Sequence, residues 1–373
     1  LTFQTPRHPS EYRLRLPGPT TVPERIRLAT AAPMQAHRGA EFKAMLAEVQ
    51  TGLRAVYGTA QDVFLFAGSG TAMMEASLAN VVGPGDAVLV AVAGQFSERF
   101  AAIATALGAK VDTLDCEWGQ GIDVQQLAER IARRDYRAAV VVHNESSTGV
   151  TEDLAAIGAA VRDRPTLLIV DSVSGLAGAE MKMDAWGADI VVAASQKCLM
   201  CPPGLGLAAV SPKAWEIVKR DHTVPRFFWD FRRARSALKK GETAFTPPIS
   251  LVYGVREALR MIAEEGLANV IARHRRLSSA LRAGCQGLGL EPFNRPAVAS
   301  STVVAIKVPQ GLEGTAIVAH LRERYRTVIA GSRSPRLHNK VIRIGTMGAV
   351  GEADIRTDLT HLEATLKDLG RTI

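Results

Sequence analysis

Residues 188–206 read "ADIVVAASQKCLMCPPGLG". Ile190 to Ala194 is an unbroken apolar run, as in a strand of a parallel sheet covered on both faces. Lys197 follows within three residues, just before a Pro-Pro-Gly loop. A lysine there either snorkels to water on its long stem or is a reagent. Cys198 and Cys201 form a C-x-x-C but lack the second Cys or His pair of a zinc site. Pro202-Pro203 also preclude the helix start that a redox pair uses. They read as small apolar residues lining a buried turn.

The same strand character recurs on both sides of this stretch. "DVFLFAG" precedes "TAMMEASLANVV", "AVLVAVAG" precedes "SERFAAIATALG", "KVDTLDC" precedes "DVQQLAERIARR", and "AAVVVHNE" precedes "EDLAAIGAAVRD". "TLLIVDSVSG" then leads to "ADIVVAAS" and "GLGLAAVS". Alternation of β and α runs predicts an α/β fold whose mostly parallel sheet is sandwiched by helices. The segment "FTPPIS" at 245–250 breaks the pattern, and one long helix is expected over 251–287. The remainder, with "STVVAIKV", "GTAIVAHLRERY" and "KVIRIGTMG", reads as a small C-terminal α+β domain. The expected division is a large domain over 20–250, with an arm over 1–19 joining 251–373 in the second domain.

With 373 residues, 47% of them apolar and 22% charged, the chain has the composition of a soluble globular protein. No apolar run approaches the ~18 residues of a membrane helix. The opening "LTFQTPRHPS" has no hydrophobic core of a secretory signal, so no membrane association and a cytoplasmic location are expected. The formal charge of +8 could serve anionic ligands. Its densest run, "RRARSALKK" at 232–240, has no interleaved aromatics, so no nucleic acid is expected.

Ligands of open parallel sheets bind beyond the carboxyl ends of the strands. After "VFLF" stand Gly68-Ser69-Gly70-Thr71, a helix start suited to phosphate. It lacks the third glycine of a dinucleotide fingerprint and the Gly-Lys of a P-loop. After "AVLVAVAG" stand Gln95 and Phe96, an aromatic that packs or carries a flat ring. After "AAVVV" come His143, Glu145, Ser146 and Ser147. After "TLLIV" comes Asp171, a carboxylate that needs a charged or hydrogen-bonded partner. Each has an ordinary structural explanation alone. Together a phosphate cup, a ring platform, an acid and an amine fit pyridoxal 5′-phosphate, whose aldehyde condenses with a lysine and whose ring nitrogen pairs with a carboxylate.

The chain also resembles the class V, fold type I, pyridoxal-phosphate-dependent aminotransferases, most closely the alanine–glyoxylate and serine–glyoxylate (serine–pyruvate) branch. The resemblance rests on "PGPTTVP", "HRGAEF", "GSGTAMMEA", "HNESSTGV", "VDSVSGLAG", "ASQKCLMCPPG", "TPPIS" and "VIRIGTMG", in that order from Pro17 to Gly348. It implies that Lys197 bonds the cofactor aldehyde, with Gln196 contacting the phosphate. Ser69, Gly70 and Thr71 would cup the phosphate, Phe96 would stack on the ring, and Ser146 would meet the 3′ oxygen region. Asp171 would pair with the ring nitrogen and Val173 pack beneath the ring. Thr246 would reach the phosphate of a neighbouring subunit, implying a homodimer with shared sites. Thr243 stands where relatives place a second cross-subunit donor, a tyrosine. Arg343 would bind the substrate carboxylate, and Gly18 would lie where the N-terminal segment closes over the substrate.

The implied activity is ping-pong transfer of an amino group from a small amino acid, alanine or serine, to glyoxylate or pyruvate. Ureidoglycine and aspartate as donors remain open, as does a lyase of the same class. A desulfurase would carry a mobile cysteine around 325–340, and none of the four cysteines lies there. A nicotinamide-dependent dehydrogenase would want a three-glycine turn that the sequence lacks.

Overall fold

The computed structural model describes residues 12–220 and 224–371. Most of the expected N-terminal arm, residues 1–11, lies outside the described residues. Seven strands form the main sheet: β1 (Val63–Ala67), β2 (Ala87–Val92), β3 (Lys110–Asp115), β4 (Ala138–Val142), β5 (Leu167–Asp171), β6 (Ile190–Ala194) and β7 (Leu205–Val210). Their order is β1-β7-β6-β5-β4-β2-β3. Neighbours from β6 through β3 run parallel, while β7 is antiparallel to both β6 and β1.

Side chains alternate between the faces of a strand, and both faces here are dry. Leu89, Leu168, Val170, Val191 and Ala193 pack with Phe42, Leu46 and Val49 of the helix Ala40–Tyr57. Val88, Val90, Val140, Ile169 and Val192 face Met73, Phe100 and Trp215 from helices on the other side. Burial on both faces explains why these strands read as continuous Val/Leu/Ile/Ala runs. It also places the carboxyl ends of β1, β2, β4, β5 and β6 along one edge of the sheet.

The single helix expected over 251–287 is two: Ile249–Glu265 and Leu267–Gly287. Gly266 between them has φ +83°, a left-handed conformation that a helix interior cannot contain and that glycine adopts without a Cβ penalty. The first helix packs on Ala40–Tyr57 and on the helix Glu24–Thr30, and Val252, Val255 and Ile262 join the core beneath the large sheet. The second carries Leu277, Leu281 and Cys285 into a separate C-terminal core.

That core lies under a three-stranded antiparallel sheet of β8 (Val303–Lys307), β9 (Ala330–Gly331) and β10 (Val341–Gly345), in the order β8-β10-β9. The helices Gly314–Tyr325 and Glu352–Asp368 complete it. Near the start of the described chain, Arg13–Leu14 pairs in parallel with Thr327–Val328. Arg15 reaches Asp358 at 2.6 Å with both side chains buried, and its carbonyl accepts from Gly345 N–H at 2.7 Å. The residues after it, Pro17 to Thr20, run to the large sheet. Among the described residues, no helix is long and apolar enough to cross a membrane.

Candidate active site

Lys197 stands three residues beyond β6, where a tight turn reverses the chain toward β7. Met200 N–H returns to the Lys197 carbonyl at 2.9 Å and Cys201 N–H to that of Ser195 at 3.0 Å. Thr20 crosses this turn, its N–H donating to Gln196 O at 3.1 Å and its hydroxyl to Lys197 O at 3.1 Å. The ammonium of Lys197 donates to the carbonyl of Pro17. Gly18 has φ +101°, and a Cβ there would fall 2.5 Å from Lys197 Nζ. Only glycine lets this segment pass so close. Cys198 and Cys201 are buried free thiols pushed up to about 12 by burial, lining the turn without chemistry of their own.

Lys197 opens into a cavity of about 500 Å³ whose other walls include Ser69, Gly70, Thr71, Phe96, Ser146, Asp171, Val173 and Gln196. These residues come from the ends of β1, β2, β4, β5 and β6, five separate stretches of sequence. Burial lowers the Lys197 amine to about 8, opposed by the nearby Asp171 charge. Burial likewise raises the Asp171 carboxyl to about 7, opposed by the Val173 N–H donating to Oδ1 at 2.7 Å. Desolvation disfavours each charged form, so burial favours the neutral amine, and for Asp171 it outweighs the nearby charges of Lys197 and Arg99.

The cup has the form expected of a phosphate site. Ser69 caps the helix Gly70–Ala79, its Oγ accepting from Ala72 N–H at 3.2 Å. The first amides of a helix have no intrahelical partners, and those of Gly70 and Thr71 belong to the cavity wall. At Gly70 a Cβ would lie 2.8 Å from Val173 Cγ2, so the absence of a side chain keeps the cup next to the floor that Val173 forms. A phosphate at this helix start, a flat ring between Phe96 and Val173, a ring cation at Asp171 and an aldehyde at Lys197 satisfy these groups together. Pyridoxal phosphate therefore fits the residues present.

A wider cavity of about 1860 Å³ adjoins the first and shares Phe96, Arg99, Ser146 and Lys197 with it. Gly18 and Arg343 line it. Arg343 rises from β10, 9% exposed, and donates to Ser146 O at 3.0 Å and Gly331 O at 2.6 Å. Its Nε is buried without a partner among the described residues, and burial lowers its pKa. Arg99, Arg322, Arg333, His338 and Arg343 all line this space, against one acid, Glu323.

Thr243 and Thr246 are not brought to Lys197. They line another cavity beside β1, and Thr243 Oγ1 donates to Phe245 O at 2.7 Å. Three further residues prominent at the site were not singled out from sequence for the roles they take. Asn144 Nδ2 donates to Ser174 Oγ at 2.8 Å and Thr302 Oγ1 at 3.0 Å. Glu145, fully buried, accepts from the Phe96 and Ser97 amides at 3.1 Å each. Arg99 donates to Thr71 Oγ1 at 3.0 Å. The spacing of Arg99 three residues after Phe96 was visible, but not its partner.

A reactive lysine, a carboxylate for a ring nitrogen and a phosphate cup on a mostly parallel seven-stranded sheet define a pyridoxal-phosphate enzyme of fold type I. The family model for class-V aminotransferases matches residues 26–356. An uncharacterised aminotransferase of Methanocaldococcus jannaschii is 39% identical over 359 residues, covering 96% of this chain and 93% of the relative. L-aspartate–glyoxylate aminotransferase of Paracoccus denitrificans is 36% identical over 371 residues, covering 98% and 93%. The crystal structure of alanine–glyoxylate aminotransferase from Nostoc sp. superposes with a TM-score of 0.94 at 32% identity, covering 98% of each chain. The chain belongs to the class V aminotransferases and is a pyridoxal-phosphate-dependent transaminase with glyoxylate-dependent homologues.

Proposed function

We propose that the protein moves the amino group of a small amino acid, alanine or serine, to glyoxylate or pyruvate by a ping-pong mechanism. The observation that carries this reading is the convergence of Lys197, Asp171 and the Ser69–Thr71 helix start on one cavity that opens toward Arg343. Bound pyridoxal phosphate supplies an aldehyde carbon for amino groups and a ring that takes up the electron pair left at Cα.

Lys197, Asp171, Ser69, Gly70, Thr71, Phe96, Ser146, Val173 and Gln196 would hold that group. With the cofactor bound, Lys197 Nζ would be the group that accepts the proton from the substrate Cα and gives it back. An amine lowered to about 8 can both accept and release a proton near neutrality. Asp171 would face the ring nitrogen and keep it protonated, and that cation would offset the burial that raises the carboxyl. Arg343 orients the substrate by its carboxylate, a task suited to a planar fork of donors. Pro17 and Gly18 restrict the space above Lys197. Thr246, with Thr243, would act on a second copy's phosphate in a homodimer, consistent with their distance from this chain's cavity.

A second reading, aspartate as donor, is favoured by the cationic lining of the outer cavity and by the aspartate–glyoxylate aminotransferase among the relatives. Half-transamination of the purified holoenzyme with a panel of amino acids, followed by loss of the visible cofactor band, decides between them. Alanine or serine bleaches the band fastest, and glyoxylate or pyruvate restores it. A clear preference for aspartate or ureidoglycine would transfer the assignment to that donor.

A further inference from the structure

The helix Gln95–Ala106 starts at the carboxyl end of β2, and its first turn is fixed from below. Glu145 accepts from the amides of Phe96 and Ser97 and from Ser147 Oγ, the last at 2.6 Å. Ser147 Oγ also accepts from Gln95 N–H at 2.9 Å. Residues three apart share a helix face, so fixing this turn places Phe96 and Arg99 together on the side that faces the cavity. Both line the inner and the outer spaces.

Arg99 then makes two contacts of different kinds. Its Cζ lies 4.8 Å from the centroid of the Phe96 ring, a distance at which a guanidinium and an aromatic face attract. Its Nη1 donates to Thr71 Oγ1 at 3.0 Å. Thr71 belongs to the first turn of a different helix, after β1. The guanidinium is therefore a bridge between two walls of the cavity that the backbone does not otherwise join here. No carboxylate of the described residues forms an ion pair with it, so its charge is left to the cavity.

The direction of the Thr71 bond matters. Arginine has no acceptor, so Thr71 Oγ1 must receive the hydrogen. A hydroxyl that accepts on one side keeps its own hydrogen to give on another, and the cup of amides at Ser69–Thr71 is where an anion would take it. We propose that Arg99 is a positioning residue for the cofactor: by occupying the acceptor side of Thr71 Oγ1 it turns that hydroxyl into a phosphate donor, and by covering Phe96 it fixes the ring platform. The inference rests on the reading that Thr71 and Phe96 contact the cofactor.

The test is a double-mutant cycle on cofactor affinity. Dissociation constants for pyridoxal phosphate are measured for wild type, Thr71→Val, Arg99→Met and the double variant, together with the circular dichroism of the bound cofactor. A hydrogen bond to a charged group puts each single loss at about tenfold. If Arg99 acts through Thr71, the double variant loses about as much as the larger single one, because the second change removes a bond already disabled. Arg99→Met also reduces the cofactor's dichroism more than Thr71→Val, since Phe96 is released as well. Losses that multiply in full, to about a hundredfold, overturn the proposal, as does an Arg99→Met protein that binds within about twofold of wild type. Should Arg99→Met fail to fold, the same cycle with Arg99→Leu, which likewise has no donor for Thr71 Oγ1, decides by the same comparison. A Thr71→Val protein of wild-type affinity removes the reading beneath the inference, a result separate from additivity.

Discussion

Replacing Arg343 by lysine tests the substrate side of the site. Two of the five N–H bonds of a guanidinium go here to the carbonyls of Ser146 and Gly331, at 3.0 and 2.6 Å. Those bonds set the plane of the fork, and the second hydrogen on each terminal nitrogen is left for a ligand. Lysine keeps the charge but carries all its donors on one atom. It cannot hold both carbonyls and still face a carboxylate side-on. One charge-assisted hydrogen bond to the substrate is lost, about 1.5–3 kcal/mol, which corresponds to roughly ten- to hundredfold in kcat/KM for the amino-acid half-reaction. Single-turnover bleaching of the cofactor band with alanine measures it. A primary amine without a carboxylate serves as control and reacts equally with both proteins, which separates a lost carboxylate contact from any effect on the cofactor through Ser146. Equal losses for alanine and the carboxylate-free amine, or a loss under about threefold for alanine, would refute this role for Arg343.

Asp171→Asn removes the charge proposed to meet the ring nitrogen; losing one preorganised electrostatic partner lowers kcat by at least about a hundredfold, with a changed cofactor spectrum and retained fold. For Lys197, burial favours the neutral amine and brings its pKa to about 8. The nucleophile is therefore absent well below that pH and present above it. Reconstitution of the apoprotein by pyridoxal phosphate accelerates with rising pH and levels off past about 8; a plateau reached only near the ordinary lysine value would contradict the geometry. Asp358→Ala leaves Arg15 buried, 3% exposed at the side chain, without its 2.6 Å partner. Breaking one side of a buried pair costs about 3 kcal/mol or more, read as a lower midpoint in urea.

Much of this architecture could be read before any coordinates. Strands buried on both faces are apolar without alternation, so β4, β5 and β6 stood out as "AAVVV", "TLLIV" and "DIVVAA". A polar residue that ends such a run has few places to go, which is why Asp171 and Lys197 stood out, although only in combination with the other strand ends did they point to a cofactor. Gly266 was harder, because a glycine inside an amphipathic pattern can be tolerated within a helix; only its φ of +83° shows a break. Arg99 and Glu145 were illegible in their roles for another reason. Their partners, Thr71 and the amides of Phe96 and Ser97, lie 28 and about 50 residues away, and no local periodicity encodes such a meeting. Thr243 and Thr246 line a separate cavity beside β1, and their proposed role was legible only through the family resemblance.

The short path from Arg13 to Thr20 has a mechanical meaning. At one end it is woven into the C-terminal body, through Thr327–Val328, Asp358 and Gly345; at the other it is tied to the carbonyls of Gln196 and Lys197. A tether this short has no slack, so any swing of the C-terminal body would pull Pro17 and Gly18 across the lysine amine. Opening the entrance and uncovering the nucleophile would then be a single motion.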